Sequence, residues 1–133
     1  AAEYFMTVDE LKAEGASAVD KNVRLSGAVI GDSIQYDAAT LTLTFEVAHV
    51  PGDNAEIEAL GGLAEVLRAA VADPMRTRLK VAYVGPKPDL LRNEAQAIMT
   101  GRLGADGIFY ATELLLKCPT KYEEAVPEQV TSQ

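Results

Sequence analysis

The chain has no tryptophan, and cysteine and histidine occur once each, as Cys118 and His49. One cysteine cannot close an internal disulfide, and one cysteine with one histidine falls short of the four-ligand set of a structural zinc site. No run approaches the roughly 18 to 20 apolar residues that cross a bilayer as a helix, and no charged start followed by an apolar stretch reads as a signal peptide. Basic residues are scarce: 12 Lys and Arg stand against 20 Asp and Glu, for a formal net charge of -8. Proteins that track phosphate backbones gain affinity by releasing counterions through clustered Lys and Arg, so no nucleic acid partner is expected. A glycine-rich phosphate loop, a nucleophile elbow and a recognisable acid/base pair are all missing, so the residues themselves suggest no enzyme. Internal repeats and low-complexity segments are missing too.

What is present fits one soluble domain, since 133 residues is close to the commonest domain size. Thr7 is followed three residues later by Glu10, the spacing at which each side chain satisfies the other residue's free backbone N–H. A short helix is therefore predicted from Val8 to about Glu14, stopped at Gly15. The segment "NVRLSGAVI", from Asn22 to Ile30, alternates as a half-buried strand, with Gly27 suggesting a bulge or sharp bend. After "GDS" a second strand is expected, then a turn near Asp37 to Thr40, then a longer strand with Leu41, Leu43, Phe45 and Val47 facing the core. The stretch from about 50 to 76 loses β-branched alternation, and a helix from about Gly62 to Ala72, ended by Asp73-Pro74, fits it. Strands follow in "RTRLKVAYV", "AQAIMTGRL" and, after the "GADG" turn, "GIFYATELLLK". Pro86 and Pro88 keep the connection "GPKPDLLRNE" out of a sheet. Short strands with glycine-marked bends suggest a closed barrel, because closure removes exposed edges. The fold class expected is all-β: an OB-fold, a five-stranded Greek-key barrel over 1–117 with an inserted helix, followed by a flexible C-terminal tail over 118–133.

The tail segment "KCPTKY" carries the candidate chemistry. Pro119 biases Cys118 toward extended backbone and suits the first position of a helix. A thiol at such a start, near Lys117 and Lys121, is favoured as thiolate if it is exposed. In a helical turn, Cys118 and Tyr122 would lie four apart on one side, so one flat ligand could meet both. The plain alternative stands beside this: a lone cysteine after an apolar strand is commonly an inert, buried small hydrophobe covered by its neighbours. Lys117, Lys121, Glu123 and Glu124 read as solvated side chains, and His49, beside Pro51-Gly52, as a loop residue rather than a ligand.

In this order, "EYFMTVDEL", "VRLSGAVIGDSIQYDAATLTLTFEV", "VAYVGPKPDLLRNEAQAIMTGRL" and "GIFYATELLLKCPTKY" resemble the CcmE family, the haem chaperones of cytochrome c maturation. The pieces that carry it best are Tyr83 to Leu90 and Phe109 to Lys117, and the resemblance spans nearly everything except Val50 to about Arg76. It implies an OB-fold domain on the periplasmic face of the cell membrane. In the full-length protein that domain would be held by a single N-terminal transmembrane helix, which these residues do not include. It also implies haem b as the bound group. Membrane proteins of haem delivery and haem ligation, and apocytochrome c, would be the partners. Most members pair a haem-attaching histidine with an iron-ligating tyrosine as H-x-x-x-Y; here the matching positions are Cys118 and Tyr122, a C-x-x-x-Y variant. The resemblance thus assigns Cys118 to haem attachment, covalent or by coordination through sulfur, and Tyr122 to the iron. Two other readings stand beside it: an OB-fold module for oligosaccharide or single-stranded nucleic acid, and an interaction domain using Leu63 to Val71 as its contact face.

Overall fold

The computed structural model of the chain describes residues 2–119. Its elements in order are β1 (Tyr4–Phe5), α1 (Val8–Glu14), a 3-10 turn (Gly15–Ala18), β2 (Val23–Asp37), β3 (Thr42–Ala48), α2 (Asn54–Ala59), α3 (Leu63–Ala72), β4 (Arg78–Val84), β5 (Gln96–Leu103) and β6 (Phe109–Lys117). The strands hydrogen-bond in the order β1-β2-β3-β4-β6-β5, and β5 returns to pair with β2. That last pairing closes β2 to β6 into a five-stranded barrel, with β4 and β6 parallel and the other barrel pairs antiparallel. This Greek-key order is the expected OB-type barrel.

Several elements form as the sequence predicts, for the expected local reasons. The Thr7 side chain accepts from the Glu10 N–H and the Glu10 carboxylate accepts from the Thr7 N–H, completing the capping box of α1. Gly15 ends that helix at φ 56°, and Asp73 caps the end of α3. In the "GADG" turn, Gly107 lies at φ 84° and donates to the Gly104 carbonyl.

Elsewhere the structure corrects the expectation. "GDS" does not separate two strands: β2 runs unbroken over 15 residues, and its register against β3 shifts between Ile30 and Gln35. The irregularity is held by Ser33, whose hydroxyl donates to the Ile30 carbonyl and accepts from the Glu46 N–H. Gly27 lies within regular pairing to Ala97 and is not bulged. Its role is close approach, since a Cβ there would sit 2.7 Å from Cβ of Val47. Leu41 is not a core residue: it falls in the turn before β3, at φ 56°, and is 44% exposed. Two elements were not anticipated, the parallel pairing of β1 with β2 and the short helix α2. Asp53, which caps α2 by accepting from the Ala55 N–H, was its available signal.

Two apolar clusters follow from this layout. The barrel interior holds Leu25, Val29, Leu43, Phe45, Val47, Leu79, Val81, Met99 and Phe109, closed at one end by Val8 and Leu11 of α1. Full burial of each large side chain there stabilises the fold by about 2 to 3 kcal/mol. The second cluster lies outside the barrel wall, where Val66, Leu67 and Ala70 of α3 cover Ala28, Ile30, Ala48 and Val50. The apolar face of α3 is therefore spent on its own barrel, which removes the basis for reading Leu63 to Val71 as a contact face for another protein.

Candidate functional site

Cys118 follows directly on β6, which runs on past its last pair with the parallel strand β4, Tyr83 opposite Ala111. Which way it points is decided six residues earlier. Between β5 and β6 the register passes from Gly101 opposite Ala111 to Thr100 opposite Glu113, so Thr112 is an extra residue on β6. The Thr112 hydroxyl closes this bulge by donating to the Thr100 carbonyl over 3.2 Å. Because side chains alternate along a strand, one inserted residue exchanges the two faces. Before the bulge the odd positions Phe109 and Ala111 are buried; after it Leu114 and Leu116 turn inward while Leu115 is 54% exposed. Cys118 continues the inward series.

The sulfur is half-buried and free, and it packs with Leu114 and Leu116 against the barrel core. Ile34, Tyr36 and Tyr83 are likewise partly buried against that core. Sγ of Cys118 donates to the Leu90 carbonyl at 3.5 Å, within the reach of a weak sulfur bond. Leu90 itself is 44% exposed, and Val84, the last residue of β4, is 72% exposed at the corner of β3 and β4. Leu41 joins Val84 there, because the Gly85 N–H donates to the Leu41 carbonyl. Tyr36 ties β2 to the same corner through its hydroxyl, which donates to the Gly85 carbonyl at 3.3 Å. Lys117, Lys87 and Arg92 supply exposed cations on the flanking segments. The thiol is thus set beside an exposed apolar side chain, with exposed cations on the connection that carries Leu90 and at the end of β6. A porphyrin, with flat apolar faces and two carboxylates, is chemically suited to such a surface.

Cys118 packs like a small hydrophobe, yet it is not sealed in. Tyr122 and Lys121, and with them the predicted helical turn after Pro119, lie outside the described residues. Leu90, the residue whose carbonyl meets the sulfur, was not singled out as a site residue by the sequence, although it ends Tyr83 to Leu90, one of the two pieces that carry the family resemblance best. Among the described residues no group of three or more His, Cys, Asp and Glu side chains could hold a metal ion.

A cavity of about 680 Å³ lies elsewhere, over the outer face of β2 and β5. Phe5, Met6, Arg24, His49, Asp53 and Ile98 are among its walls. His49 offers no free ring nitrogen there. Its Nδ1 accepts from the Asp9 N–H at 3.2 Å and its Nε2 lies 3.5 Å from the Asp9 carboxylate, so the ring joins α1 to the start of the 49–77 insertion. That is the loop role expected of it.

Comparison with known proteins follows the same lines. The model of the CcmE domain matches residues 2–125, an interval containing both Cys118 and Tyr122. The cytochrome c-type biogenesis protein CcmE of Azoarcus sp. (strain BH72) is 34% identical over 119 residues, covering 90% of this chain and 63% of that protein. The protein of the same name from Alkalilimnicola ehrlichii is 30% identical over 122 residues, covering 92% of this chain and 61% of that protein. The chain thus spans a little over three-fifths of the length of these relatives. Among solved structures, yeast Stn1 and Ten1 shares the fold alone, at a TM-score of 0.50 and 9% identity over 99% of this chain and 71% of that one. The OB-fold domain of haem chaperone CcmE from Desulfovibrio vulgaris overlays more loosely, at a TM-score of 0.47 and 21% identity over 74% of this chain and 89% of that one. With its whole described length matched by the domain model, the chain belongs to the CcmE family.

Proposed function

We propose that this chain carries haem for cytochrome c maturation, binding it at the rim around Cys118 and delivering it to apocytochrome c. The observation that carries the reading is the family match, which runs through Cys118 and Tyr122. The rim supports it, because the half-buried thiol lies beside exposed Leu90. In this reading Cys118 attaches the group and Tyr122 ligates the iron, phenolate being an established haem ligand. The attachment is addition of the thiol across a vinyl group of haem b. A carbon–sulfur bond forms, the vinyl C=C becomes a single bond, and the thiol proton ends on the other vinyl carbon. No oxidant or reductant is consumed. Lys117 and Lys121 are suited to the propionates.

A carrier gains from a shallow site. Buried apolar area stabilises a bound group by about 25 cal/mol per Å², so a haem lying on a rim is held less firmly by apolar contact than one enclosed in a core. The barrel interior of this chain is filled by its own side chains, so a flat ligand would lie on the outside of the barrel, where Cys118 is accessible. The working location is the periplasmic face of the membrane, with an N-terminal helix as anchor and the membrane proteins of haem delivery and haem ligation as partners. The barrel over 1–117 then serves as a rigid base and 118–133 as the haem-binding tail.

The test is to produce the anchored protein with the maturation machinery and weigh it after denaturation. A mass increase of one haem is expected, lost in Cys118→Ala. Tyr122→Phe keeps the adduct and changes the iron spectrum. An adduct that persists in Cys118→Ala refutes the covalent assignment. Indifference to haem together with salt-sensitive oligonucleotide binding would favour the other OB-fold reading.

A further inference from the structure

The acceptor of the Cys118 sulfur belongs to the connection between β4 and β5, which is tied to the barrel at Gly85, through Leu91 and at Asn93 to Ala95. Asn93 Oδ1 accepts from the Gly31 N–H at 2.8 Å, beside the irregular part of β2. The contact is close at backbone level: a Cβ on Gly31 would lie 2.7 Å from Cβ of Asn93 and 3.0 Å from its Cα. The next residue, Glu94, sits at φ 69° and donates its N–H to the Val29 carbonyl at 2.9 Å, while the Val29 N–H donates to Ala95 at 2.8 Å. A non-glycine residue in that left-handed region persists only where its surroundings hold it. Leu91 anchors the same segment in the core at 5% exposure, and Leu90 beside it is left to present its carbonyl to Cys118. The Gly31–Asn93 contact is thus one side-chain tie of the connection that carries Leu90, whose carbonyl accepts from the sulfur.

We propose that Asn93, locked against Gly31, is the positioning residue for the Cys118 thiol: it fixes the 85–95 connection so that Leu90 keeps the sulfur at the barrel rim. Within the haem-carrier reading, on which its significance rests, this presents the thiol to a porphyrin lying on the rim and limits its encounter with small solutes. The hold is weak by design of its bonds. A single sulfur–carbonyl contact at 3.5 Å yields readily when a larger apolar ligand displaces Leu90.

The experiment measures the rate at which iodoacetamide alkylates Cys118 in the ligand-free protein, followed by mass, alongside the melting temperature. Removing the acceptor in Asn93→Ala frees the connection and raises the rate about fivefold, the scale expected for loss of one partly exposed hydrogen bond that governs a local opening. Gly31→Ala, which displaces Asn93 from the opposite side, does the same. Asn93→Asp retains the acceptor oxygen and stays within about twofold of the parent. Thr7→Ala, which weakens the α1 cap, lowers the melting temperature and leaves the rate unchanged. The proposal is overturned if Asn93→Ala and Gly31→Ala both alkylate at the parent rate, or if Thr7→Ala accelerates alkylation as much as they do. The haem-adduct experiment above separates the two readings. An adduct in the parent with no alkylation change in Asn93→Ala sinks the positioning role alone, whereas the alkylation change without any adduct sinks the haem assignment alone.

Discussion

Gly101→Ala tests the feature that aims Cys118, the bulge between β5 and β6. A Cβ at Gly101 would lie 2.2 Å from the Tyr110 carbonyl oxygen, 2.8 Å from Cα of Ala111 and 2.9 Å from the Tyr110 carbonyl carbon. The nearest of these is about 1.2 Å short of the 3.4 Å at which ordinary contact begins. All three obstacles are main-chain atoms of the paired strand, so relief requires the two strands to part and give up ladder hydrogen bonds. Overpacking by one methyl typically costs about 1 to 3 kcal/mol, and with no flexible side chain to yield the value belongs at the top, about 3 kcal/mol. For a domain of this size that lowers the melting temperature by about 10 °C. Gly107→Ala is the comparison: it has no atom within 4 Å of its Cβ and φ at +84°, so only backbone strain of about 1 to 2 kcal/mol applies. Thermal and urea melts of both variants read the difference. If Gly101→Ala melts within 2 °C or so of the parent, or above Gly107→Ala, the close packing at the bulge is not what fixes the register of β6.

Two further predictions concern the opposite end of the barrel and the β5–β6 turn. Thr7→Ala removes one half of the capping box and lowers stability by about 1 kcal/mol, read as a reduced urea midpoint at unchanged slope; an unchanged midpoint contradicts the role of the cap. At the turn, the hydrogen bond from the Tyr110 hydroxyl, then that from the Ile108 N–H, holds the Asp106 carboxyl below its ordinary 3.8, and the same contact raises the Tyr110 phenol above 10.0. Because the folded carboxyl titrates lower than the unfolded one, its contribution is complete above about pH 3.8 and disappears as the pH falls through the depressed folded value. In Tyr110→Phe the Asp106 titration followed by NMR moves up toward 3.8, and a curve identical to the parent's would disprove the coupling.

Local chemistry made much of this protein legible in advance. Thr7 and Glu10 specify the start of α1 whatever surrounds them, because a capping box is satisfied within four residues. Alternation in Leu43, Phe45 and Val47 specifies a half-buried β3 for the same reason, and Asp73-Pro74 closes α3. β2 was harder to read. "GDS" has the composition of a turn, and only the bonds from Ser33 to Ile30 and Glu46 keep the strand continuous through it.

The sequence by itself determined the all-β character, the positions of most elements, the negative charge and the placement of a lone cysteine just after the last strand. Tertiary structure alone decided where that cysteine points and what it meets. Three successive leucines, Leu114 to Leu116, show no alternation, so no periodicity reveals which of them faces inward. The choice is made by Thr112, which is an extra residue only because Gly101 lets the neighbouring strand come close, and by Leu90, which is remote in sequence and is brought to the sulfur through Asn93 and Gly31. Pairing register and long-range hydrogen bonds depend on residues far apart in the chain, and no local pattern encodes them.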